Sequence, residues 1–144
     1  MKSKYCLVVL FIVFFTVLHR NASSQEVSML LGKDHALHAS FLDFAYSRIQ
    51  VLNRSFINAA DKILIESRDD LCVARYQKID PSTVNIEVKK VNSNLTPFIG
   101  VLNYTESIYE NNGSCQASLA NGPFIPVRHR KVTEIFRYVQ NRWQ

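Results

Sequence analysis

Between Asp34 and Asp69 the chain has no Gly and no Pro. Apolar residues recur there at Leu37, Phe41, Phe44/Ala45, Ile49, Leu52, Phe56, Ala59/Ala60, Ile63 and Leu64. Steps of three and four place these side chains on one stripe of a helix. The pattern predicts one long helix over this stretch, with Asp34 capping its first turn. A straight helix of that length would extend about 50 Å, beyond the ~35 Å breadth of a 120-residue globule. Asn53-Arg54-Ser55 is therefore the expected bend or joint, because Asn and Ser compete for backbone hydrogen bonds.

After residue 70 the period changes from near four to two. Leu71 to Ile79 reads as a first strand, and Asp80-Pro81-Ser82 as a turn with Pro pre-set for its second position. Val84, Ile86 and Val88 alternate with Asn85, Glu87 and Lys89, the signature of a strand with one buried and one wet face. Phe98 to Glu110 follows as a long strand with a bulge expected at Gly100, and Asn111-Asn112-Gly113 as a turn. Phe124 to Trp143 reads as the last strand, bulged near Arg128-His129-Arg130-Lys131. Beyond the bulge, Val132, Glu134, Phe136 and Tyr138 share a face. These elements define an α+β fold: one long N-terminal helix packed on an antiparallel sheet of about four strands. The order resembles the cystatin-like arrangement, in which a curved meander grips a long helix. The Gln-x-Val-x-Gly loop of true cystatins would fall at Asp80-Pro81-Ser82, where it is absent, so the resemblance implies no inhibition of cysteine proteases.

The first residues stand apart from this pattern. Lys2 and Lys4 precede the 12-residue run LVVLFIVFFTVL, and Ala22-Ser23-Ser24 supplies small residues at a cleavage position. This is the layout of a secretory signal peptide over residues 1–24, with residues 25–144 as a single α+β domain. The run falls short of the roughly 20 residues a membrane-spanning helix needs. No stable membrane span is expected after cleavage, and the protein is expected to be exported, periplasmic or secreted. Removal of residues 1–24 takes away three cations, leaving 14 basic and 12 acidic side chains, a net +2 in place of +5. So small an excess gives no reason to expect a nucleic-acid partner. Cys6 leaves with the signal, and Cys72 and Cys115 form an even pair in an oxidising compartment, expected to be bridged.

Candidate chemistry is sparse. His35 and His38 lie one helical turn apart, but a closed metal site needs four ligands and His129 is distant in sequence. No Gly-x-Ser-x-Gly elbow is present. Neither a catalytic residue nor a metal or other cofactor is assigned. The densest charge is Arg128-His129-Arg130-Lys131. Arg128, Arg130, Lys131 and Arg137 define a candidate face for an anionic partner; the competing reading is an edge strand whose charges block edge pairing. Five Asn-x-Ser/Thr triplets begin at Asn21, Asn53, Asn94, Asn103 and Asn112. Asn103 and Asn112 are the glycosylation candidates in a eukaryotic source, while a bacterial periplasmic protein rich in Asn and Lys accounts for the triplets equally well. The expected function is a small non-catalytic binding or structural domain whose partner is a protein or small ligand. The alternative is an enzyme or small-ligand-binding protein with a pocket between helix and sheet that uses His35, His38 or His129. A third possibility is self-association through the helical stripe.

Overall fold

The computed structural model describes residues 28–144 apart from 69, 70 and 116. The expected signal segment, residues 1–24, lies outside the described residues. Among these the fold is α+β, with one α-helix and a seven-stranded antiparallel sheet. The elements in chain order are β1 (Met29–Leu30), α1 (Ala36–Ser55), β2 (Leu64–Arg68), β3 (Leu71–Ile79), a 3-10 turn (Pro81–Thr83), β4 (Asn85–Lys90), β5 (Phe98–Gly113), a second 3-10 turn (Ala117–Asn121), β6 (Ile125–Val139) and β7 (Arg142–Trp143).

The helix is shorter than its apolar stripe. Its N-cap is His35 rather than Asp34, with the His35 Nδ1 accepting from the Leu37 N–H at 3.2 Å. It ends at Ser55, so the expected helix to residue 68 is corrected to one of 20 residues. The physical reason is a tertiary contact. Asn53 Oδ1 accepts from the Ile79 N–H (2.7 Å) and Asn53 Nδ2 donates to the Ile79 carbonyl (2.9 Å). This two-way bond satisfies the buried backbone at the end of β3 and fixes the last helical turn against it. Phe56 then leaves the helical conformation and still packs on the core, while Leu64 opens β2.

The expectation of four strands is corrected to seven, three of them short pairs at sheet margins. β1 adds to β4, β2 to β3 and β7 to β6. β7 follows a two-residue hairpin in which Gln140 and Asn141 both take positive φ, 50° and 60°, as a primed turn requires. The segments around Asp80-Pro81-Ser82 are not a hairpin. β4 pairs with Phe98–Asn103 of β5 and β3 with Glu106–Gly113. β6 pairs with β5 from Ile99 to Glu110 and so occupies its other edge. β3 and β4 therefore run end to end along one edge of β5, kinked by the 3-10 turn, whose Asp80 side chain accepts from the Ser82 N–H (2.9 Å). That bond holds the Asp80 carboxyl below its usual range.

β5 thus passes through two halves of the sheet. In the first, α1 covers one face. Phe41, Ala45 and Ile49 of the helix meet Ile79, Val88, Leu102, Tyr104 and Trp143 in the main core. Gly100 is not a bulge: it lies in register between Val88 and Phe136, and a Cβ there would run into the Phe41 ring. The bulge falls on β6, at Val127, where the register shifts opposite Ile108/Tyr109. In the second half the covered face is the opposite one. Leu119 of the second 3-10 turn packs with Cys72, Ala74, Ile63 and Phe124, and Asn111 Nδ2 donates to the Leu119 carbonyl (2.8 Å). The Cys72–Cys115 disulfide closes this side, with Cα atoms 4.9 Å apart.

Candidate functional site

Side chains alternate across a strand, so the face of β5 that meets the helix through Gly100, Leu102 and Tyr104 continues as Glu106, Ile108 and Glu110. The helix ends before it reaches these residues. Their cross-strand partners on the same face are Ile79, Gln77 and Arg75 of β3, and Arg130, Arg128 and Ile125 of β6. The result is a charged trough on the helix side of the second half. It holds two adjoining depressions. One, of about 310 Å³, is lined by Gln77, Glu106, Ile108, Arg128 and Arg130. The other, of about 400 Å³, is lined by Arg75, Ile108, Glu110, Val127 and Arg128. Ile108 and Arg128 are common to both.

The trough is ordered by ion pairs. Glu106 is buried, and its Oε2 accepts from Arg130 Nε (2.9 Å) and from Gln77 Nε2 (3.3 Å). Glu110 Oε1 accepts from Arg75 Nε at 2.8 Å, and Arg75 also lies 3.7 Å from Glu66. A carboxylate taken out of water requires such partners. Arg128 has no carboxylate partner among the described residues. It is exposed and stands between the two depressions.

At the boundary between the halves a second polar set sits under the helix. Arg48 Nε and Nη2 each donate to Glu134 at 3.1 Å, and the Tyr104 hydroxyl donates to Glu134 Oε1 (3.2 Å). The bond to Glu134 raises the Arg48 pKa against the opposing effect of burial. Burial, reinforced by the Glu134 charge, pushes the Tyr104 hydroxyl up to about 12. This set joins helix to sheet.

The four basic residues singled out from the sequence are divided between faces. Arg128 and Arg130 line the trough, whereas Lys131 pairs with Thr105 and Arg137 with Ile99 on the opposite face. The three His do not converge. His35 caps the helix, its ring centroid 6.5 Å from that of Phe98, and His38 lies in the first helical turn. His129 is in the other half, its Nδ1 2.8 Å from the buried Ser107 Oγ. Among the described residues no three His, Cys, Asp or Glu side chains cluster as metal ligands would. Asn103 accepts from Thr133 Oγ1 (2.6 Å), and Asn112 is exposed near the end of β5. Arg75, Gln77, Glu106, Ile108 and Glu110 escaped the reading of the sequence. Their signal was present in β5, where alternate positions change from Gly-Leu-Tyr to Glu-Ile-Glu without a change of face. No helix among the described residues is long and apolar enough to cross a membrane. No known protein family, curated protein or solved structure matches the chain.

Proposed function

We propose that this is a small exported binding domain that engages an anionic protein or small ligand through the open, helix-side face of the disulfide half of its sheet and performs no chemistry of its own. The observation that carries the reading is Arg128, a cation without a carboxylate partner among the described residues, placed between two adjoining depressions. Export is supported by the charged start and apolar run of the first residues and by a disulfide suited to an oxidising compartment. The α1-covered half acts as the scaffold, because its face is filled by side chains from helix and sheet.

Calorimetric titration of the protein with a decaglutamate peptide tests the proposal. Arg128→Glu should weaken binding at least tenfold and leave the melting temperature unchanged, since the side chain is exposed. Equal affinity of the two proteins, or no binding by either, would count against it. A second reading rests on the Ser107–His129 contact, a hydroxyl within hydrogen-bond reach of an imidazole. It would make the protein a hydrolase, and covalent labelling of Ser107 by a fluorophosphonate would favour it.

A further inference from the structure

Among the described residues, the outer edge of β6 is the longest stretch of unpaired backbone at a margin of the sheet. One edge is taken by β5 from Ile125 to Arg137. On the other edge the described residues supply only β7, which pairs with Tyr138 and Val139. Alternate residues between 125 and 136 thus point N–H and C=O groups at an edge to which no described strand is joined. Such an edge is a template for another strand.

The charge on this edge selects what can add to it. Residues 125–137 carry Arg128, Arg130, Lys131 and Arg137 against Glu134 alone, a net +3. A second copy paired antiparallel over the full edge would set Lys131 opposite Lys131. That register puts one like-charge pair at the centre and Arg128 opposite Glu134 on either side, but two edges of net +3 still repel each other as a whole, so an acidic strand is the better match. An acidic strand meets the reverse situation. Arg128 and Arg130 are two residues apart, ~7 Å along the strand, and both enter the trough. An added strand projects every second side chain toward the trough at that same spacing.

The geometry points to β6 as a strand-addition site for an extended peptide with acidic side chains at alternate positions. Backbone hydrogen bonds to residues 125–136 supply the register-independent part of the recognition, and carboxylates facing Arg128 and Arg130 supply the selection. This rests on the trough being the binding surface and goes further by fixing the partner's conformation and charge pattern.

The probe is a dodecapeptide of alternating Glu and Val, compared with the same peptide methylated on every backbone nitrogen. Both carry six carboxylates, and only the first can add to an edge. The unmethylated peptide should bind the full chain at least tenfold more tightly, and the outward-pointing amides between residues 125 and 136 should gain protection from hydrogen exchange when it is present. Equal affinity would overturn strand addition while leaving charge-based binding in the trough intact. Binding of neither peptide would overturn strand addition; if decaglutamate also fails to bind, the trough reading falls with it. Protection of the same amides that rises with protein concentration in the absence of peptide would assign the edge to a second copy and likewise overturn the inference.

Discussion

The two halves of the sheet share one strand and differ in what that strand buries. In the α1-covered half, β5 turns Gly100, Leu102 and Tyr104 toward Phe41, Trp143 and the rest of the main core. In the disulfide half, the same face offers Glu106, Ile108 and Glu110, held by Arg130, Gln77 and Arg75. Here the apolar support lies on the other side of the sheet, around Leu119 and the Cys72–Cys115 bridge. A sheet covered on opposite faces in its two halves keeps one face of each half open. The helix decides which face becomes core, and its end at Ser55 decides where the open trough begins.

The largest effect that separates the halves should come from their apolar centres. Phe41 is fully buried, with ring centroids 4.6 Å from Trp143 and 6.0 Å from Phe136. Phe41→Ala should cost about 3–5 kcal/mol, a large part of a typical stability of roughly 5–15 kcal/mol. Ile108→Ala, on the same face of the sheet but in the trough, should cost less than ~1.5 kcal/mol. Denaturant unfolding of the two variants makes the comparison. Similar costs would mean that the trough is core and the division between halves is wrong.

Next in size is the bridge. In the chain-entropy relation a loop of this length stabilises by about 4 kcal/mol, and Cys72 and Cys115 are 43 residues apart. Replacing both by Ser should lower the melting temperature strongly. Because the bridge belongs to the disulfide half, hydrogen exchange should rise first in β2, β3 and the 3-10 turn at Ala117–Asn121, with α1 protected longer. Uniform loss of protection would contradict the separate support of the two halves.

The smallest effect marks the boundary between them. Tyr104 keeps its proton up to about 12 in the folded chain, against about 10 for an ordinary tyrosine. The folded state therefore binds more protons than the unfolded state between those values. The stability contributed is fully present below pH 10 and is lost as pH rises toward 12, roughly 2–3 kcal/mol at most. Tyr104→Phe should flatten this part of the stability profile, relative to the wild type, measured by denaturant unfolding between pH 9 and 12. An unchanged slope would remove Tyr104 as its source.

Much of the fold was legible where one strand's own alternation decided the outcome. β3 spans Leu71 to Ile79 as read from the sequence, although two shorter strands precede it, and Val84, Ile86, Val88, Val132, Phe136 and Tyr138 all reach the main core. What was hidden depended on partners distant in the chain. The helical stripe continues past Ser55 because Phe56 stays on the core after the backbone turns away, and only the bonds from Asn53 to Ile79 mark the stop. Asp80-Pro81-Ser82 carries turn residues, yet nothing local states whether the chain reverses or kinks. The basic run was visible, but its division between two faces follows from pairing with Glu106, Ser107 and Ile108. The acidic and polar members of the trough read as solvent positions until β3, β5 and β6 bring them together.

The open, helix-side face of the disulfide half is the proposed binding surface. Backbone and side-chain NMR shifts recorded while the alternating Glu-Val dodecapeptide is added test it most directly. The perturbed signals should cluster at Arg75, Gln77, Ile108, Arg128 and Arg130 and along residues 125–136, with Phe41, Ala45 and Ile49 unmoved. Perturbations gathered instead at His35 and His38, or on the opposite face at Glu87 and Val101, would contradict it.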